Sequence, residues 1–454
     1  MGNNPQAPRS HWSSRWAFVV VTAGSAIGLG NIWKFPYMAG TNGGGAFVLV
    51  YLVCIALLGL PLMMTEIMLG RRAQRNPVDA MAWHAREAGA SSWWRAVGVM
   101  GVLAGGLILS FYSVVAGWVL EYLARSLAGG FAGIDAAEAQ ARFDALLADP
   151  IRLIGWHSGF ILMTAGVVAL GVTSGLERAN KILMPLLLLI VIILLGYGAA
   201  GGELGHAASY LFAADFSKIT PAIVVAAMGQ AFFTLSLGMG AVMAYGSYLE
   251  RDVSILRTTL AVAAADTGIA LLAGLAIFSI VFAHGLAPAA GPGLVMQTLP
   301  IAFGSMPGGA LAGSLFFALL TFAAWTSSIS LVEPAVSWIC ERTSFGRARA
   351  SFVVGGAVWL LGCAAALSFN RWQEFRLFGL GLFDFLDYLT SNIMLPLGGL
   401  LMVVFAGWVM QRSSVSEELQ LGDAGFRLWR IVARYVAPAA IILITMSLTG
   451  LLPF

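Results

Sequence analysis

Apolar positions run in eleven long blocks separated by short polar connections, at 16–40, 45–70, 96–125, 153–172, 179–200, 219–249, 256–284, 308–340, 350–369, 380–410 and 431–452. Inside a block the polar residues neither alternate with apolar ones nor collect on one stripe. The two-residue alternation of a barrel strand is therefore missing, and the pattern predicts helices that are apolar on all sides. Each block holds about 20 residues or more, enough at roughly 1.5 Å per residue to cross a hydrocarbon core of about 30 Å. The predicted fold is an all-α polytopic membrane protein with eleven transmembrane helices.

Composition sharpens this. The 454 residues are 59% hydrophobic and only 10% charged, whereas soluble domains carry about 25% charged residues. This excludes most soluble enzymes, nucleic-acid binders and disordered chains. A net charge of +3 suggests no polyanion partner. Cys54, Cys340 and Cys363 lie in apolar stretches and suggest no disulfide or metal framework. The five histidines are scattered, with no HExxH or GxSxG pattern, so neither an enzyme nor an organic cofactor is expected. Eighteen of the 25 Lys and Arg fall on the side that carries the N-terminal segment 1–15, and six on the other. The excess of basic loops predicts a cytoplasmic N-terminus in the cytoplasmic membrane. The largest external connection is then the acidic one at 126–152.

Two blocks are internally broken. The first contains Gly24, Gly28 and Gly30 beside Asn31, and the sixth contains Gly238 and Gly240 beside Thr234 and Ser236. An unwound turn in a membrane survives only where it is buried or lines a polar cavity. The breaks occupy corresponding positions of two five-helix halves, 16–200 and 219–410, with 431–452 appended. Interrupted helices at matching positions point to the midplane site of a secondary transporter built from inverted repeats. Half-helix N-termini suit a carboxylate, and half-helix C-termini and free carbonyls suit Na⁺ or an ammonium group. Crossed breaks therefore suit a zwitterionic amino acid.

The segments Arg9–Pro36, Asn42–Phe47, Gly229–Gly240 and Ala323–Ser328 resemble the neurotransmitter:sodium symporter family, in particular its bacterial branch of leucine and hydrophobic amino-acid symporters. The resemblance extends over essentially the whole chain. It implies two Na⁺ sites. The first would use Ala26, Asn31, Thr234, the substrate carboxylate and Asp266, which stands where the family usually has Asn. The second would use the carbonyls of Gly24, Ile27 and Ala323 with the hydroxyls of Thr326 and Ser327. The substrate carboxylate would meet Leu29, Gly30 and Tyr112, and its ammonium Ala26, Phe233 and Thr234, with Ser236 nearby. Ile108, Tyr112, Phe233, Ser236, Met239, Ser327 and Leu331 would line the side-chain pocket and favour aliphatic and aromatic L-amino acids. Monoamine carriers have Asp where this chain has Gly28, which argues against a decarboxylated amine.

The resemblance also implies gates. Lys34 and Asp387 would form the outer pair under a Phe233–Tyr112 lid, with Lys standing where the family usually has Arg. Arg9 and Glu341 would form the inner pair, with Trp12 as a plug beside Ser247 and Tyr248. Around the start of the fifth block, Gly175 and Pro185 match a pair that lets some relatives unwind. Tyr51, Gln230 and Thr234 match chloride-site positions, but the fourth is Ala270, and Asp266 could supply a fixed charge instead. The expected activity is chloride-independent, sodium-coupled import of hydrophobic L-amino acids by alternating access. A non-transporting amino-acid sensor with the same site is the alternative.

Overall fold

The computed structural model describes residues 11–286 and 293–451. Among them, nine helices are long and apolar enough to cross a membrane: Gly45–Ala73, Ser92–Leu127, Pro150–Ala169, Val172–Ala200, Ile255–Ala283, Gly309–Arg342, Arg347–Leu367, Leu382–Val409 and Asp423–Ser447. A tenth span is bent by 54° between Arg15–Ala26 and Gly30–Thr41. The sixth expected block divides into Pro221–Thr234 and Ala241–Gly246. Neither half is long enough to cross alone, which is why this span escapes a criterion of length and hydropathy. Ordinal span numbers below follow the eleven blocks.

Local sequence sets the ends. Ser14 accepts from the Ala17 N–H to start the first span. The Thr220 hydroxyl accepts from the Ile223 N–H, and Pro221 takes the first helical position of the sixth. Both follow the usual chemistry of helix N-termini. The eleventh helix begins at Asp423, earlier than its apolar block, because Phe426 and Trp429 turn inward and extend it into a polar segment. Short helices also fold in the connections, among them the amphipathic Pro77–Glu87 and Ala136–Ala148.

Packing sorts the spans into two groups. Spans three, four, eight and nine pack on one another, and spans one, two, six and seven are linked through one to seven, two to six and two to seven; span one also meets eight, and span five lies against one, seven and eight. Each group holds a helix and its counterpart five spans later, as expected if the halves are repeats. Close approach relies on glycine at a few points. A Cβ on Gly70 of span two would sit 1.9 Å from the Met243 carbonyl, and one on Gly398 of span ten 2.2 Å from the Gly238 carbonyl. The two breaks meet between the groups.

Candidate functional site

The first break follows from helix geometry. Ile27 leaves the helix at φ −73°, ψ 102°, and the chain re-enters a helical path near Leu29. The Asn31 side chain folds back so that its Oδ1 accepts from the Gly28 N–H at 3.0 Å. The sixth span breaks over 235–240, where Ser236, Gly238 and Gly240 have φ of 54°, 90° and 72°. Ser236 is not glycine, and its hydroxyl donates to the Ser25 carbonyl at 3.1 Å. One break is thus bonded directly to the other.

Asp266 of the seventh span joins them. The Asn31 amide donates to Asp266 Oδ1 at 2.7 Å and to its backbone carbonyl at 3.1 Å. The Thr234 hydroxyl donates to the same carboxylate at 3.2 and 3.3 Å. All three side chains are buried. They concentrate oxygen donors and one acid where no basic side chain bonds to it. That donor set fits a hard monovalent cation. Buried Tyr51 and Gln230 lie near by; Gln230 donates to the Gly30 carbonyl at 3.1 Å, and the Tyr51 hydroxyl has no bonded partner.

The second expected cluster comes together in part, through Ser327 and Ile27. The Thr326 hydroxyl donates to the Ala323 carbonyl at 3.1 Å, and the Ser327 hydroxyl lies 3.3 Å from the carbonyls of Ile27 and Ser25. Gly24 packs on the fifth span, where a Cβ would fall 2.0 Å from Asn180 Oδ1. These are neutral oxygens, again suited to Na⁺ rather than to a transition metal.

Between the clusters lies a cavity lined by Ala26, Leu29, Gly30, Ile108, Tyr112, Phe233, Thr234, Ser236, Met239, Ser327 and Leu331. All eleven expected substrate-binding residues reach it. Leu29 and Gly30 open the second half-helix, whose first N–H groups have no preceding turn to bond. The Tyr112 hydroxyl is buried without a partner near Gly28, so a donor is available for a carboxylate. Ile108, Met239 and Leu331 supply apolar walls.

At one end of the central cavity, Lys34 and Asp387 border a second cavity together with Tyr112, Trp118 and Phe233. They form no direct ion pair. The Lys34 ammonium instead rests 3.9 Å above the Phe233 ring, a cation–π contact. Lacking the planar fork of Arg, Lys can leave the carboxylate for the aromatic face. Near the N-terminal end of the first span, Trp12 is buried. Its indole N–H donates to the Tyr245 carbonyl at 3.0 Å, and its ring meets Tyr245 and Tyr248 edge-on. Ser247 is buried beside them. Glu341 accepts from the Asn76 amide at 2.7 Å. Its expected partner Arg9 lies outside the described residues.

The model of the sodium:neurotransmitter symporter family matches residues 9–136 and 153–452. The chain belongs to that family. It is 38% identical over 447 residues to an uncharacterized sodium-dependent transporter of Bacillus subtilis, covering 98% of each chain. It is 33% identical over 453 residues to one of Haemophilus influenzae, covering 98% of this chain and 99% of that one. Among solved structures, MhsT in complex with L-phenylalanine superposes with a TM-score of 0.88 at 41% identity, over 97% of this chain and 99% of that one. The protein is thus a multi-pass membrane transporter of a sodium-dependent family.

Several site residues escape sequence reasoning. Ser25, Ser330 and Leu395 also line the central cavity. Glu66 of the second span accepts from the Gly238 N–H at 2.6 Å, satisfying the backbone of the sixth-span break. Glu333 accepts from the Tyr248 hydroxyl at 2.7 Å and pairs with Arg347, tying the inner aromatic plug to spans eight and nine. Both acids stand out in the sequence as charges inside apolar spans, which points to a structural pairing, but their partners are too distant in sequence to infer.

Proposed function

We propose that this symporter carries hydrophobic L-amino acids inward with Na⁺, without needing chloride, across the cytoplasmic membrane from a cytoplasmic N-terminus. The observation that carries the reading is the joining of two broken spans through Asn31, Asp266 and Thr234 beside an apolar cavity with a partnerless tyrosine hydroxyl. The first Na⁺ would sit against Ala26, Asn31, Thr234 and Asp266 and be completed by the substrate carboxylate. Each ligand then improves the other's site, and the coupling is reciprocal. The second would sit among Gly24, Ile27, Ala323, Thr326 and Ser327. Gly28 offers no counter-ion for an amine that lacks a carboxylate. Asp266 supplies a fixed negative charge one helical turn from Ala270, making a bound anion unnecessary. The MhsT complex with L-phenylalanine supports the aromatic end of the substrate range. The two halves would be inverted repeats that rock about this site.

Mechanistically, Na⁺ and substrate entering from outside would draw Phe233 and Tyr112 over the cavity. Release inward would require Trp12 to leave Tyr245 and Tyr248. The test is uptake of radiolabelled L-phenylalanine and L-leucine into proteoliposomes. Uptake should require an inward Na⁺ gradient and be unchanged when gluconate replaces chloride. Na⁺-independent uptake would defeat the coupling, and loss of uptake in gluconate would defeat the chloride claim alone.

A further inference from the structure

The junction of spans ten and eleven gathers positive charge that the transport site leaves unused. Arg427, Arg430 and Arg434 follow one another at spacings of three and four along the start of the eleventh helix, which places them on one face. Arg412, from the connection between the two spans, joins them: the charges of Arg412 and Arg434 both act on Arg430. Two acids of the same connection are engaged elsewhere, Glu417 with Arg72 and Glu418 with Arg71. Among the described residues no carboxylate lies within ion-pair distance of any of these arginines, Asp423 included.

Two of the guanidinium groups are steadied by aromatic faces. Arg412 lies 5.7 Å from the centre of the buried Phe426 ring, and Arg434 lies 4.8 Å from that of Trp408. Arg434 Nε also donates to the Gly407 carbonyl, and the Trp408 indole N–H donates back to the Arg434 carbonyl at 3.2 Å. Stacking uses the flat face of a guanidinium and leaves N–H donors at its edge for an oxyanion. The surface around the charges is apolar. Trp408, Leu428, Ile431 and Tyr435 are each more than half exposed, and Trp408 meets Tyr435 edge-on at 5.5 Å. Exposed tryptophan and tyrosine at the end of two spans belong at the level of lipid headgroups. Further along the eleventh helix, Val436, Ile442 and Leu443 are exposed.

We propose that Arg412, Arg427, Arg430 and Arg434 bind the phosphate headgroup of an anionic phospholipid, whose acyl chains lie along Val436, Ile442 and Leu443 and which ties span ten to span eleven. The excess of basic residues on one side of a membrane protein accounts for their number at this end. It does not account for their convergence. Like charges held together without carboxylates repel one another, and an anion among them removes that cost. Phosphate matches the donors, since each guanidinium offers paired N–H groups to two oxygens. The apolar rim selects an anion that arrives with hydrocarbon attached, and basic pockets between spans at the membrane surface suit such headgroups. Arg434 is already bonded to Gly407 of span ten, so a headgroup on Arg434 reinforces that contact.

The experiment uses the full chain in maltoside micelles, with dioleoyl phosphatidylglycerol, dioleoyl phosphatidylcholine and inorganic phosphate as probes. The readout is the lipid concentration that gives half the maximal rise in thermal midpoint. Each Arg near an anionic surface contributes about fivefold in affinity. Phosphatidylglycerol should therefore reach half its effect at a concentration at least about tenfold below phosphatidylcholine. Inorganic phosphate at the same concentration should leave the midpoint unchanged. Combining Arg412→Gln, Arg427→Gln and Arg430→Gln keeps the Arg434–Gly407 bond and should bring the two lipids within about twofold of each other. Combining Arg178→Gln and Arg257→Gln removes exposed charge from other connections at the same end, and should keep the preference. If the triple variant does not fold, Arg427→Gln alone, at an exposed position, decides the matter and should lose about fivefold. Equal half-effects for the two lipids, a full preference in the folded cluster variant, or an equal loss in the Arg178–Arg257 control would each overturn the proposal. A rise reproduced by inorganic phosphate would replace the lipid with a free anion and overturn it as well.

Discussion

At the residue scale, single oxygens carry the proposed recognition. The Tyr112 hydroxyl is buried and partnerless. If it donates to the substrate carboxylate, Tyr112→Phe removes one charge-assisted hydrogen bond worth about 2 kcal/mol. Equilibrium L-phenylalanine affinity should then fall roughly thirtyfold, with the Na⁺ requirement rising alongside through the shared carboxylate. Scintillation-proximity binding at several Na⁺ concentrations measures both, and unchanged affinity would remove Tyr112 from the site. Residue-scale features were the most legible in the sequence. Glycines clustered beside Asn31, Thr234 and Ser236 announce both breaks, because such a cluster is expensive in a lipid-embedded helix unless its backbone is used. Leu395 was not legible, since nothing in its apolar run separates it from its neighbours. The position of Lys34 over Phe233 was also hidden, because charge alone favours Asp387 and the ring's pull appears only in three dimensions.

At the element scale, the question is how an unwound turn persists inside a membrane. In the sixth span the answer is partly Glu66, whose carboxylate takes the Gly238 N–H across 172 residues of sequence. Glu66→Met keeps the bulk and leaves that N–H without a partner, at a cost of about 1–3 kcal/mol. The thermal midpoint in detergent should fall, and Glu66→Gln, which retains an acceptor, should lose less. A Met variant as stable as the parent would mean that Gly238 finds another acceptor. Sequence periodicity gives the existence of the helices and most of their boundaries. It could not reveal this cap, because the contact is made between spans. The same limit explains the eleventh helix, whose early start at Asp423 depends on Phe426 and Trp429 finding a core to enter.

At the scale of the whole molecule, the face that carries Arg72, Glu87 and Glu417 is held by charge. Glu87 pairs with Arg72, which also reaches Glu417 from the segment after span ten. Hydrogen bonding to Arg72 holds the Glu87 carboxyl below the usual carboxylate range. Burial pushes the neighbouring His84 below the usual imidazole value. Both folded values are depressed, so both groups contribute stability above their unfolded pKa values and lose it as pH falls. His84 acts first, below about 6.5, and Glu87 below about 4.3. Detergent-solubilised protein should therefore melt at lower temperature at pH 5 than at pH 7.5. His84→Gln should flatten the upper part of that profile, and an unchanged slope would exclude His84. The grouping of spans into one, two, six and seven against three, four, eight and nine mixes spans from both expected halves. No similarity between the halves at the level of residues foretold which helices would touch.

The tight fit at Gly28 has an evolutionary consequence. A Cβ there would lie 2.5 Å from Ser327 Oγ and 3.3 Å from its Cβ, so a side chain added at that position requires the Ser327 side chain to move. A lineage drifting toward amine cargo would first have to give ground at Ser327, on the rim of the second proposed ion site. The proposed choice of cargo is thus guarded by a contact between two residues 299 positions apart in the chain, as well as by the chemistry of the cavity.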